Sequence, residues 1–286
     1  MEVKKVAVLG AGTMGMGIAQ VFAQSGIQVV LYDIKIEIVE KAIARIGKII
    51  AKAVEKGQAP DGAKDFVLGN ITGSADLKDL ADVDVVVESI VENLEIKLAT
   101  YKKLDEACKP EAIFATNTSS LSITEMAAVT KRPQQVVGMH FFNPAQVMAL
   151  IEVIPALQTS DDTFNVIYEL SKKIGKKPIK VKEGPGFVVN RILVPGLNEA
   201  AYILMEGLAS EKDIDTAMRL GAGWPMGPLT LADMVGLDIA LEVCNVLYRE
   251  TGDPKYRPCS LIKQYVRAGW LGRKTGRGFY DYSESK

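Results

Sequence analysis

The segment that most constrains the fold is GAGTMG at residues 10–15, because it separates an apolar run from a helical pattern. Residues 6–9 are typical of a buried strand, and residues 18–25 continue from the glycines as a helix. In such a strand–turn–helix unit, the first glycine allows a tight turn, the second lets the backbone approach a pyrophosphate, and the third lets the helix pack on the strand. The N–H groups at the helix N-terminus can then bind the pyrophosphate. We therefore predict a dinucleotide site that includes Gly10, Gly12, Thr13, Met14 and Gly15.

Asp33 supplies the acidic group that this kind of site uses further along the chain. It follows a second apolar run at residues 29–32. A carboxylate about 20 residues after the glycines accepts hydrogen bonds from the adenosine ribose and repels a 2′-phosphate. A helix N-cap is the alternative interpretation of Asp33. The sequence therefore favours NAD over NADP, although Lys35 lies close enough to keep NADP as the less favoured cofactor.

Apolar runs alternate with helical patterns as far as residue 181, which indicates a parallel sheet covered by helices on both faces. The predicted fold is α/β, a Rossmann-type doubly wound and mainly parallel sheet. Further strands are predicted at residues 84–87, 112–115, 136–139, 150–154 and 178–181. Helices are predicted at residues 36–56, 94–107, 122–129 and 163–174, with a turn-rich break at 57–65.

The alternation stops at the EGPG segment of residues 183–186, and the rest of the chain is predicted to be an all-α domain. We place an NAD-binding domain at residues 1–184 and a helical substrate-binding domain at 185–286. The helices of the second domain have more apolar surface than they can cover alone, which favours a homodimer formed through it. These helices are predicted at residues 187–206, kinked or interrupted by Pro195, and at 211–220, 229–250 and 260–268.

Net charge and the counts of cysteine and histidine argue against several classes of protein. With 34 basic and 35 acidic residues, the net charge is −1, whereas a general nucleic-acid binder needs a basic excess. Three separated cysteines and one histidine cannot form a Cys/His zinc site, so no metal is predicted. Sparse cysteines suit a reducing compartment. The uncharged stretch between Lys5 and Asp33 could be taken for an export signal, but its glycines and glutamines make it a poor membrane segment. We expect a cytoplasmic protein without a membrane anchor.

His140 and Glu152 are the candidate acid/base groups. His140 is the only histidine and ends the apolar run 136–139, where a strand end would face the ligand crevice. An imidazole can exchange a proton with an alcohol near neutral pH. Glu152 is the only charge in the apolar run 150–154, so it should be desolvated and need a partner. We predict a Glu–imidazole hydrogen bond between neighbouring strands; a core histidine bonded to the backbone is the alternative.

A polar segment and one polar helix position are further candidates for substrate binding. Residues 116–120 follow a predicted strand, and the hydroxyls of Ser119 and Ser120 could donate to a substrate oxygen. An ordinary loop with helix caps is the alternative there. Asn190 lies in the first apolar helix of the second domain, either as a ligand contact or as an internal hydrogen bond.

Taken together, these motifs resemble the 3-hydroxyacyl-CoA dehydrogenase family, and within it the bacterial short-chain 3-hydroxybutyryl-CoA dehydrogenases. The resemblance runs from Met1 essentially to the C-terminus. The matching segments are GAGTMG at residues 10–15, NTSSLSI at 117–123, HFFNP at 140–144, PGFVVNR at 185–191, LGAGWPMGP at 220–228 and GRKTGRGFYDY at 272–282.

The resemblance implies oxidation of an (S)-3-hydroxyacyl-CoA by NAD, or the reverse reduction. It implies that His140 exchanges the 3-hydroxyl proton and that Glu152 orients the imidazole. Ser119 and Asn190 would hold the substrate, and Asn143 would help to seat the nicotinamide. The resemblance also implies contacts with NAD by Glu92, Lys97 and Lys274, which the sequence alone would place as surface charges.

For CoA, the family uses the helix after the second strand, where this chain has Lys52 and Lys56 on one face. A solvated lysine pair is the alternative there. A serine contact of the family falls at about Ile49, which weakens the CoA assignment at that point. Two other functions stay open, a β-hydroxyacid dehydrogenase and a non-catalytic crystallin-like relative. A β-hydroxyacid dehydrogenase would have a lysine-based site, and a crystallin-like relative would lack the His–Glu pair. The sequence therefore argues against both.

Overall fold

The structure is a computed structural model that describes residues 1–283. The chain divides into two compact units, Met1–Glu183 and Gly184–Lys286. Among the residues described, no helix combines the length and the apolar character that a membrane crossing requires.

The first unit is built on an eight-stranded sheet with the order β3-β2-β1-β4-β5-β6-β7-β8. All neighbouring strands pair in parallel except β6 and β7, which are antiparallel. The strands are β1 (Lys5–Leu9), β2 (Gln28–Tyr32), β3 (Ile71–Ser74), β4 (Val85–Glu88), β5 (Ile113–Thr116), β6 (Val136–Phe141), β7 (Leu150–Pro155) and β8 (Lys177–Lys180). The helices are α1 (Thr13–Gln24), α2 (Ile36–Glu55), α3 (Ala63–Gly69), α4 (Leu94–Ala107), α5 (Ile123–Ala128) and α6 (Asp161–Lys173).

Helices cover both faces of this sheet, because the central strands carry apolar side chains on both faces. On one face, α1, α2 and α6 share a core cluster with residues such as Val8 and Val87. On the other face, the ring of Tyr101 in α4 packs edge-on against Phe114, with ring centroids 5.9 Å apart. The predicted fold, a doubly wound and mainly parallel sheet followed by a helical region, is confirmed.

Two features of the sheet differ from the prediction. The region after residue 57 contains α3 and the edge strand β3, whose sequence ITGS has too little apolar character to be recognised as a strand. Gly73 allows this strand to lie under α2, because a Cβ there would come within 2.8 Å of the side chain of Val39. The second difference is the antiparallel direction of β7. The connection from Phe141 to Leu150 is too short for a parallel crossover, which needs about a dozen residues or more.

The second unit contains α7 (Val189–Met205), α8 (Glu211–Gly221), α9 (Pro228–Val235), α10 (Leu237–Thr251) and α11 (Ser260–Arg267). The prediction of a single helix over 229–250 is wrong. The segment forms two helices that meet at Gly236, where φ is +105°. Such a backbone conformation is open mainly to glycine. Helix α7 continues through Pro195, although proline cannot donate an intrahelical hydrogen bond there.

Two buried acids organise the end of the second unit. Asp233 accepts hydrogen bonds from the backbone N–H groups of Phe279 and Tyr280, both at 2.9 Å, and from the hydroxyl of Tyr282 at 3.0 Å. Asp215 accepts from the backbone N–H of Leu229 at 2.8 Å. Burial raises the pKa of Asp233 above its usual value, even though these hydrogen bonds favour the charged form. Asp233 therefore joins residues 279–282 to α9, and Asp215 joins α8 to the start of α9.

Candidate active site

The glycines between β1 and α1 have different structural tasks. Gly10 has φ +92°, and a Cβ there would lie 2.4 Å from the carbonyl oxygen of Ser89. A Cβ on Gly15 would lie 1.7 Å from the carbonyl oxygen of Gly10. Gly12, at the N-cap of α1, has nothing within 4 Å of the position a Cβ would take. The first and third glycines thus allow close packing, and the second leaves open space at a helix N-terminus, which fits the pyrophosphate of NAD. Thr13 and Met14 begin the helix there.

Asp33 lies directly after β2 and is joined to the glycine turn. One carboxylate oxygen accepts from the backbone N–H of Ala11 at 2.8 Å, and the other accepts from the N–H of Ile34 at 2.8 Å. The N-cap residue of α2 is Lys35, so the N-cap interpretation of Asp33 is wrong. A partly exposed carboxylate beside the turn is suitably placed to accept from a ribose hydroxyl.

His140 and Glu152 lie directly opposite each other on the antiparallel strands β6 and β7. The Nδ1 atom of His140 lies 2.8 Å from the Oε2 atom of Glu152. Glu152 has no exposed surface, and His140 is 5% exposed. A carboxylate that accepts the Nδ1 hydrogen leaves the lone pair of a neutral imidazole on Nε2, which is the acceptor that a proton transfer needs. The ring of Phe142 lies beside the imidazole, with centroids 4.5 Å apart.

The segment after β5 lies next to this pair and is held by Glu92 and by Asn117, which was not predicted as a functional residue. The amide oxygen of Asn117 accepts from the backbone N–H of Phe141 at 2.8 Å, and its nitrogen donates to the hydroxyl of Ser89 at 3.2 Å. The backbone N–H of Ser119 donates to the carboxylate of Glu92 at 3.0 Å. Asn117 therefore connects the loop that carries Ser119 to the residue that follows His140.

The sequence alone would place Lys97 as a surface charge, but in the structure its side chain is buried and 1% exposed. Its ammonium group lies 2.6 Å from a carboxylate oxygen of Glu88 and 3.2 Å from one of Glu92. Glu88 has no exposed surface. Glu88 was not predicted as a functional residue, although it carries the same signal as Glu152: a single carboxylate in an apolar strand, here VVVE of β4.

Asn143 and the lysines assigned to CoA lie at the surface of the first unit. Asn143 is exposed in the connection between β6 and β7. Lys176 donates from its buried amine to the carbonyl oxygens of Ala145 and Met148, at 2.6 and 2.8 Å, and so holds this connection. Lys52 lies in the last turn of α2, and Lys56 follows its end; both are exposed.

Three positions named in the sequence analysis remain, one in the first unit and two in the second. Ile49, where the resemblance implies a serine contact, packs partly buried against the core of the first unit. Asn190 and Lys274 belong to the second unit. Asn190 lies in the first turn of α7, and the ammonium of Lys274 lies 2.5 Å from a carboxylate oxygen of Asp238.

Comparison with known proteins places the chain in one family over nearly its whole length. Residues 5–184 match the model of the 3-hydroxyacyl-CoA dehydrogenase NAD-binding domain, and residues 186–282 match that of the 3-hydroxyacyl-CoA dehydrogenase C-terminal domain. A protein of Bacillus subtilis named probable 3-hydroxybutyryl-CoA dehydrogenase is 49% identical over 99% of both chains. The human mitochondrial hydroxyacyl-coenzyme A dehydrogenase is 44% identical, over 98% of this chain and 91% of the human one. The crystal structure of (S)-3-hydroxybutyryl-CoA dehydrogenase from Ralstonia eutropha is 50% identical, with a TM-score of 0.95 over 99% of this chain and 100% of that one. The chain belongs to the 3-hydroxyacyl-CoA dehydrogenase family.

Proposed function

We propose that this protein oxidises (S)-3-hydroxybutyryl-CoA to acetoacetyl-CoA with NAD, or catalyses the reverse reduction. The observation that carries the proposal is the buried pair of His140 and Glu152, with 2.8 Å between Nδ1 and Oε2, in a domain that matches an NAD-binding family model. The names of the relatives in Bacillus subtilis and Ralstonia eutropha support the choice of a C4 substrate.

In this proposal, His140 accepts the 3-hydroxyl proton on Nε2 during oxidation and returns it during reduction. Glu152 holds the ring through Nδ1 and stabilises the imidazolium that forms, as an acid does in a hydrolase triad. Bound NAD supplies the hydride acceptor. Ser119 and Asn190 bind the substrate oxygen and keep C3 oriented, and Asn143 helps to seat the nicotinamide.

The cofactor and CoA contacts complete the proposal. Asp33 selects NAD over NADP, since its charge repels a 2′-phosphate. Glu92 and Lys274 contribute further to the cofactor site, and the enclosed Lys97 does so by holding Glu92. The exposed ammonium groups of Lys52 and Lys56 bind phosphates of CoA.

We further propose that residues 1–184 form the NAD-binding domain and that residues 185–286 contribute to substrate binding and form a homodimer. Ile192, Leu208 and Leu220 support the dimer, because these apolar side chains of the second unit are 73%, 75% and 78% exposed. Burying these side chains between two chains would remove apolar surface from water, which favours association.

The experiment that tests the function follows the loss of NADH absorbance with acetoacetyl-CoA as the substrate. We expect turnover with NADH and a lower kcat/KM with NADPH. Longer 3-ketoacyl-CoAs and free 3-keto acids serve as comparison substrates. No turnover of any 3-ketoacyl-CoA by folded protein would contradict the proposed function, and a higher kcat/KM with NADPH would contradict the role of Asp33.

A further inference from the structure

Glu88 is a fully buried carboxylate that the proposed mechanism does not use. It ends β4 and has no exposed surface. Its Oε1 atom accepts from the ammonium group of Lys97 at 2.6 Å and from the backbone N–H of Ile90 at 2.8 Å. Its Oε2 atom accepts from the hydroxyl of Thr116 at 2.8 Å. One carboxylate thus connects the end of β4 with helix α4 and with the end of β5.

Lys97 extends this connection to Glu92. Its ammonium group is enclosed, and it lies between the carboxylates of Glu88 and Glu92, at 2.6 and 3.2 Å. The side chain of Glu92 is 33% exposed, so its carboxylate reaches the surface while Lys97 holds it from inside. Glu92 in turn accepts from the backbone N–H of Ser119 at 3.0 Å and from the hydroxyl of Thr118 at 2.5 Å.

Thr116 provides a second route to the same loop. Its hydroxyl donates to Glu88 and accepts from the backbone N–H of Thr118 at 3.1 Å. Glu88 is therefore linked to residues 118 and 119 through Lys97 and Glu92, and to residue 118 also through Thr116. Side chains held by several hydrogen bonds of this kind have few alternative positions.

A buried ion pair contributes little net free energy to the stability of a fold. Removing two charges from water opposes folding, and well-packed apolar side chains in the same place are often as stabilising or more so. The Glu88–Lys97 pair lies under two groups that the proposed function places at the ligands, Glu92 and Ser119. Apolar side chains in the same place could not form the ion pairs and hydrogen bonds that reach those two groups.

We propose that Glu88 is a positioning residue, which acts through Lys97 and Thr116 to fix the carboxylate of Glu92 and the backbone of Ser119. The proposal rests on the proposed function, because that function assigns Glu92 to the cofactor and Ser119 to the substrate. Glu88 itself contacts neither ligand in this account, since its carboxylate is enclosed.

The test compares Glu88→Gln with Glu95→Gln in the full-length protein. Glu95 lies in the first turn of α4 and is exposed, so its variant removes the same charge without touching the network. We expect Glu88→Gln to lower kcat/KM with acetoacetyl-CoA and NADH by roughly tenfold or more, the loss seen for outer partners of functional ligands at metal sites. Fluorescence titration should show weaker NADH binding in the same variant. Glu95→Gln should stay within about twofold of the wild type in both measurements, as a surface change does.

Thr116→Val and Thr116→Ser are a second set of variants, which leave the Glu88–Lys97 ion pair in place. They test the proposal if Glu88→Gln does not fold. Valine removes the hydroxyl at nearly constant volume, whereas serine keeps it. We expect the valine variant to lower kcat/KM and the serine variant to restore it, with both proteins folded by circular dichroism. Wild-type kinetics and NADH affinity in folded Glu88→Gln or in Thr116→Val would overturn the proposal. An inactive wild-type protein would instead contradict the proposed function, and NADH titration of the variants would still test Glu88.

Discussion

Glu152 illustrates how a single buried charge depends on its partner. Its carboxylate has no exposed surface, and the imidazole of His140 lies 2.8 Å away across the strand pair. A carboxylate buried without a hydrogen-bond partner is strongly destabilising. Replacements at this pair must therefore keep a hydrogen-bonding group, or an effect on the reaction cannot be separated from an effect on folding.

Glutamine at either position meets this requirement. We expect His140→Gln to retain NADH binding while kcat falls by roughly 10²–10⁴-fold, the usual contribution of a positioned acid/base. Glu152→Gln should lose a large part of the same factor, because an amide can contact the ring but cannot stabilise its charged form. Since the two residues act as a unit, the double variant should lose much less than the product of the single losses. Steady-state kinetics of the four proteins measure this, and fully multiplicative losses would contradict a joint role.

At the scale of the element, Asp84 holds the start of β1 through its backbone N–H groups. Its carboxylate accepts from the backbone N–H groups of Lys4 and Lys5, at 2.8 and 3.0 Å, and from the ammonium of Lys109 at 2.6 Å. Partial burial would raise the pKa of Asp84, but the hydrogen bonds and the charge of Lys109 together hold it below the usual value. The folded state therefore favours the ionised carboxylate.

We accordingly expect Asp84→Asn to be less stable than the wild type, by an amount that depends on pH. A lowered pKa contributes stability that is complete above the unfolded value, about 3.9, and that is lost as the pH falls through the folded value. The difference in the free energy of unfolding should be constant near neutral pH and should shrink below about pH 4. Urea unfolding at several pH values measures it. Asp82→Asn, at an exposed ion pair with Lys5, is the control, and an equal effect there would contradict the assignment.

Gly236 is the position that divides the predicted single helix into α9 and α10. With φ +105° and ψ +127°, it has a conformation that other residues rarely adopt. Gly252 also has positive φ, at +66°, but it is in the left-handed helical region with open space around it. We expect Gly236→Ala to lower the free energy of unfolding by roughly 2–3 kcal/mol and Gly252→Ala by roughly 1 kcal/mol. Equal effects in urea unfolding would show that the conformation of residue 236 is not what separates the helices.

At the scale of the whole molecule, the proposed homodimer makes its own prediction. Ile192→Glu and Leu220→Lys place charges on exposed apolar positions of the second unit, each with the sign that its helix end favours. We expect light scattering at micromolar concentration to give the mass of two chains for the wild type and of one chain for the double variant. Leu157→Glu is the control, because Leu157 is 87% exposed in the first unit and should leave the dimer intact. A wild-type monomer, or a dimer that the double variant retains, would contradict the proposed interface.

The fold class and the family follow from local properties of the chain. Apolar strands that alternate with helices indicate a covered parallel sheet, and the GAGTMG segment identifies the turn between β1 and α1, because periodicity and glycine spacing are properties of short segments. The same reasoning predicted that Glu152 needs a partner, since a charge in an apolar run must be compensated wherever the run is buried.

The sequence predicted that Glu152 pairs with His140, but only the tertiary structure decided the register of that pair and which other polar groups meet. The antiparallel direction of β7 places Glu152 opposite His140, and the meeting of β4, β5 and α4 buries Lys97 between Glu88 and Glu92. The contact between Asn117 and the backbone of Phe141 likewise joins residues 24 positions apart. Such contacts depend on strand order and register, which no single segment contains, and the enclosure of a charge depends on everything packed around it. Local pattern therefore determined what kind of protein this is, and long-range packing decided how its polar groups are held.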